Sequence, residues 1–131
     1  MNKSVYPRPG LCLDFKQARI RIHKPTLNLL GNPTRINLLI NPVKGIIAIK
    51  TASIHDHLSL KVSKKSLATD GCYELHSKVL MEQLIAVYNG WKYNNSYRIY
   101  GRFDDKNQLT VFSASDSVLL EDGIYPEKIK E

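Results

Sequence analysis

Apolar and polar residues alternate over 18–23. Ala18, Ile20 and Ile22 fall on one side and Arg19, Arg21 and His23 on the other. A period of two predicts a half-exposed β-strand there. Pro25 suits the first turn of a short helix over 26–30, which gains an apolar side from Leu27, Leu29 and Leu30 and stops at Gly31-Asn32-Pro33. Two apolar runs, 36–40 and 46–50, flank Asn41-Pro42-Val43-Lys44-Gly45 and predict a hairpin. The order then returns. A strand is predicted over 71–76 and a helix over 78–88, with Ser77 as its cap and Val79, Leu80, Leu84, Val87 and Tyr88 as its apolar stripe. Strands follow over 97–103 and 109–112, joined by a turn at 104–107.

The expectation is thus a single domain over 1–131 built from a repeated strand–helix–hairpin unit, at 18–53 and again at 71–115. Residues 54–70 read as a connector and 127–131 as a frayed tail. Both units close alike, on Thr51-Ala52-Ser53 and Ser113-Ala114-Ser115. The chain's 131 residues suit one core of ordinary size. No apolar run approaches the roughly 20 residues of a membrane span, and Pro7 and Pro9 interrupt any leader-like stretch, so the expected setting is cytoplasmic, with no membrane partner. Two cysteines, Cys12 and Cys72, define no disulfide framework and read as core thiols.

Charge divides the chain. Residues 1–70 hold twelve Lys or Arg against three Asp, a balance of +9; residues 71–131 hold seven against nine acids, a balance of −2. One side of the folded protein is then expected to attract a polyanion, unless these charges only keep the surface soluble. His55-Asp56-His57 is the one close histidine pair, but side chains in an extended segment diverge and no distant third cluster completes a ligand set. The chain has no Gly-rich phosphate loop, no metal-ligand pair at helical spacing and no nucleophile motif, so neither an enzyme nor a cofactor or metal is expected.

The stretch from Ala18-Arg19 through His23-Lys24-Pro25 to Leu30-Gly31, with the hairpin after it, resembles the AbrB/MraZ-like swapped-hairpin DNA-binding family. The resemblance implies an α+β, mostly β fold in which the two repeats interlock as one pseudo-symmetric swapped-hairpin-like barrel. It implies a transcription regulator on duplex DNA, monomeric or homodimeric. Arg19 matches the arginine of the family's Gly-Arg pair, with Ala18 in place of the glycine, and Arg21 adds a second exposed cation. The nucleic-acid face would comprise Arg8, Lys16, Arg19, Arg21, Lys24 and Arg35. In the second unit, Cys72, Glu74 and His76 stand where the first has Arg19, Arg21 and His23, and Glu74 would repel a phosphate that Arg21 attracts.

A second expectation comes from the aromatics. Trp91, Tyr93, Arg98, Tyr100 and Arg102 form a Trp/Tyr/Arg-rich stretch of the kind that anchors protein interfaces or stacks bases. On that reading the chain resembles small accessory proteins of phages and mobile elements. Such proteins bind a host protein or a nucleoprotein complex, for example a bacterial nuclease or a CRISPR effector. DNA binding predicts affinity that falls steeply with salt; a protein partner predicts a complex insensitive to competing DNA.

Overall fold

A computed structural model describes residues 8–62 and 71–120. The chain forms two five-stranded antiparallel sheets and two helices. Sheet I holds β10 (Val118–Leu120), β7 (Ser96–Tyr100), β1 (Gly10–Asp14), β2 (Arg19–Ile22) and β6 (Tyr73–His76), in that order. Sheet II holds β5 (Leu60–Lys61), β3 (Arg35–Asn41), β4 (Ile46–Thr51), β9 (Leu109–Ser113) and β8 (Arg102–Asp104). Leu11, Leu13, Ile20, Ile22 and Ile99 of sheet I join Ile36, Ile47, Ile49 and Phe112 of sheet II in one continuous apolar cluster. No helix among the described residues is long and apolar enough to cross a membrane.

The helices follow from their ends. α1 (Lys24–Leu29) starts with Pro25 in its first turn, where a missing N–H costs nothing. Its Thr26 is buried, and the hydroxyl accepts from the Gly10 N–H (2.8 Å) and donates to the Gly10 carbonyl (2.9 Å), which ties α1 to β1. α2 (Lys78–Ile85) is capped as expected, the Ser77 side chain accepting from the Leu80 N–H at 3.1 Å. Met81 and Leu84, three apart and so on one face, are its buried residues.

Three of the hairpins turn by one device. Each first strand ends on Asp or Asn, whose side chain accepts from the N–H three residues on: Asp14 from Gln17 (3.2 Å), Asn41 from Lys44 (3.1 Å), Asp104 from Asn107 (3.2 Å). Each loop's last residue has positive φ: Ala18 at 50°, Gly45 at 67°, Gln108 at 54°. That geometry matches a type I turn closed by a left-handed residue. At the third turn the Asn107 side-chain amide also donates to Asp104 (2.8 Å), and these bonds hold the carboxyl below the usual carboxylate range.

The expected barrel is not formed. Both sheets are open, with β10 and β6 at the edges of one and β5 and β8 at the edges of the other, whereas a barrel has no edges. The resemblance to the AbrB/MraZ-like swapped-hairpin family is overturned with it. Two features of the chain account for this. The strand expected over 97–103 divides at Gly101, so β7 pairs in sheet I and β8 in sheet II. A Cβ on Gly101 would stand 2.6 Å from the Phe112 ring, so only glycine allows the chain to cross there. In addition, 10–14, to which the apolar pattern assigns no element, is a buried strand inserted between β7 and β2. The fold stays mixed α+β. β5 lies within the expected connector, while 63–70 and the tail 127–131 lie outside the described residues.

The turn device gives a direct test. Ala18→Gly is expected to raise stability by about 1 kcal/mol, since alanine bears the left-handed strain and glycine does not. Gly45→Ala is expected to lower it by a similar amount, because a Cβ there meets nothing closer than 3.7 Å and only the backbone conformation objects. Urea midpoints of the two variants against wild type measure both.

Candidate functional site

β2 carries the two arginines on which the DNA expectation rested, and it sits between β1 and β6 rather than at an edge. Arg21 is 5 % exposed. The register places Arg21 opposite Glu74 of β6, and Arg21 Nε lies 2.8 Å from Glu74 Oε2, in an ion pair bent away from ideal hydrogen-bond geometry. Arg19 Nη2 donates to Asp14 Oδ2 at 3.1 Å and its Nη1 lies 3.8 Å from Glu74 Oε2. Asp14 is itself buried and accepts from the Ser96 hydroxyl at 2.9 Å. The side of sheet I that alternation marked as solvent-facing is therefore a polar layer in which two arginines meet two carboxylates. Glu74, the departure in the second unit, is the partner of the residue it was aligned with.

The other expected DNA contacts are dispersed. Arg8 and Lys16 are exposed, Arg8 lying over the Tyr100 ring at 5.1 Å and Lys16 in the β1–β2 turn. Lys24 is exposed at the start of α1. Arg35 belongs to sheet II, where its guanidinium donates to the Ser59 hydroxyl at 3.1 Å. Sheet I thus brings together Arg19 and Arg21 but not Arg35.

The aromatic set divides as well. Trp91 is buried among Phe15, Tyr88 and Tyr97, with ring centroids 5.7 to 6.0 Å away, and its indole N–H donates to the Ser117 hydroxyl at 3.0 Å. It is a core residue. Tyr93, Tyr100 and Arg102 are exposed, and the Arg98 guanidinium covers the Tyr100 ring at 4.6 Å. The cysteines are buried, as core thiols would be; Cys12 Sγ lies 3.3 Å from His23 Nε2. Among the described residues no group of three or more His, Cys, Asp or Glu is placed to hold a metal ion.

A further feature was not anticipated. Between β3, the segment leading into β5 and the start of α2 lies a groove of about 350 Å³, lined by Asn37, Leu38, Leu39, Leu58, Leu60, Leu75, Ser77 and Leu80. Leu58 is 92 % and Leu39 45 % exposed at its mouth. Asp56 shapes this wall: its carboxylate accepts from the Asn37 amide (3.1 Å) and from the Leu58 N–H (3.0 Å). Lys50 stands opposite Asn37, Lys61 follows Leu60 and Lys78 follows Ser77; all three are exposed. The leucines are visible in the sequence, but the groove is assembled from three separated stretches, 37–39, 58–60 and 75–80, and no spacing announces it.

No family model matches the chain, and neither the curated proteins nor the solved structures hold a match to it.

If the arginine layer holds the sheet together, Arg21→Ala is expected to cost about 2 kcal/mol of stability, because half-buried Glu74 keeps only its longer contact to Arg19. The Arg21→Ala/Glu74→Ala double variant is expected to lose less than the two single losses combined. A denaturant-based double-mutant cycle reads this, and strictly additive losses would show that the pair is not coupled.

Proposed function

We propose that this chain is a small non-catalytic interaction protein that binds a protein partner through the leucine groove between β3 and α2. The observation that carries the proposal is the exposure of Leu58 and Leu39 at the mouth of an apolar groove whose lining adds Leu38, Leu60, Leu75 and Leu80. Large apolar side chains held in water around a concavity are the mark of a surface completed by another molecule. Lysines beside the lining residues favour a partner that is apolar at the centre and acidic around it.

Duplex DNA is the weaker reading. Its two central contacts, Arg19 and Arg21, are engaged with Asp14 and Glu74, and its remaining support is the net charge of +7.

Panning a random peptide library on the immobilised protein tests the proposal, with Leu58→Asp and Leu39→Asp alongside. Both positions are exposed, so the variants are expected to fold normally. Wild type is expected to enrich apolar, acidic peptides, and each variant to retain about tenfold less of them. Equal enrichment on all three proteins would contradict the groove. Salt-sensitive retention of a mixed duplex pool by all three, without peptide enrichment, would restore the DNA reading.

A further inference from the structure

The groove has an open strand edge for one wall. Along an antiparallel strand, backbone N–H and C=O groups point alternately to the two neighbours. The Ala52 N–H donates to the Arg35 carbonyl at 2.9 Å, so Arg35, Asn37, Leu39 and Asn41 turn their backbone groups toward β4. Thr34, Ile36, Leu38 and Ile40 turn theirs the other way. On that side Val62 donates to the Thr34 carbonyl at 2.8 Å and Leu60 stands opposite Ile36, and there β5 ends. A continued ladder would place Leu58 opposite Leu38. The Leu58 N–H is held by Asp56 Oδ1 instead, in a turn that carries the chain away. Among the described residues, no strand pairs with β3 on this side beyond Ile36.

Folded proteins protect such edges with charge, proline or a bulge. Ile36-Asn37-Leu38-Leu39-Ile40-Asn41 has neither charge nor proline, and its register with β4 runs without a bulge. Directly beside it lie Leu58, Leu60, Leu75 and Leu80. We infer that β3 is a strand-addition site: an extended segment of a partner protein pairs with Leu38 and Ile40, setting alternate apolar side chains into the leucine groove and acidic ones near Lys50 and Lys61. Backbone bonds supply affinity in this mode and the groove supplies selectivity. Asp56, the carboxylate that meets the lining residue Asn37, is already engaged by Asn37 and Leu58, and on α2 Lys78 and Glu82 each stand two residues from Leu80 and offset one another, which leaves Lys50 and Lys61. The charge beside the groove is therefore basic, which favours an acidic segment over a second copy of this chain, whose own lysines would be brought against it.

This inference rests on the groove being a protein-binding surface, and its test separates the two. Amide exchange is followed by NMR in the whole protein with three synthetic nonapeptides. One alternates Glu and Leu, one has the same composition with Leu at helical spacing, and one alternates Lys and Leu. The alternating Glu/Leu peptide is expected to slow exchange at Leu38 and Ile40 by about tenfold, with Leu58→Asp removing the effect. The Lys/Leu peptide is expected to act far more weakly. Binding of the helical-spacing peptide with no change at Leu38 and Ile40 would overturn strand addition and leave the groove as a docking surface. Failure of all three peptides to bind would overturn both. Protection at Leu38 and Ile40 without peptide, accompanied by a dimer in sedimentation, would overturn the partner segment in favour of a second copy.

Discussion

The Arg21–Glu74 ion pair ties β2 to β6 where sheet I buries a full positive charge. A guanidinium that is 5 % exposed cannot be left to solvent, and its counter-charge comes from the strand that pairs with it. Asp14, equally enclosed, meets Arg19 from β1 on the other side. Three neighbouring strands are thus stitched on their polar side by alternating charges, while Leu11, Leu13, Ile20 and Ile22 pack on the apolar side. A sheet built this way has polar residues on one face without that face being a surface. Arg19 and Arg21 are thereby engaged with carboxylates of the same sheet.

Sheet II, by contrast, stops short at its β5 edge. β5 pairs with only two residues of β3, and Asp56 diverts the chain just where the ladder would lengthen. The consequence, among the described residues, is both a stretch of β3 edge that no further strand pairs with and a leucine-lined concavity between β3 and α2.

Much of the local structure was legible because the signals were short-range. Ser77 announced a helix cap, Pro25 a helix start, and Asn41 to Gly45 a turn through proline and glycine chemistry. The β1–β2 turn was hidden because Ala18 holds the left-handed position that glycine would have advertised. β1 itself escaped because 10–14 is too short to show a period and is buried throughout. Alternation over 18–23 predicts a strand, and 19–22 forms it. Its polar side is not a solvent face, since period alone cannot distinguish water from a carboxylate on the next strand. Trp91 was legible as an aromatic anchor but not as one that anchors the core.

The most direct test of this account is the exchange of the Arg21 side-chain Nε–H with solvent, followed by NMR in the isolated protein and in Glu74→Gln. Arg102, exposed at the far edge of sheet II, is the internal reference. The expected result is an Arg21 resonance that exchanges much more slowly than that of Arg102 and loses this protection in the variant. An Arg21 Nε–H that exchanges as fast as that of Arg102 would mean the guanidinium is in water, and the arginines would again be open to a polyanion.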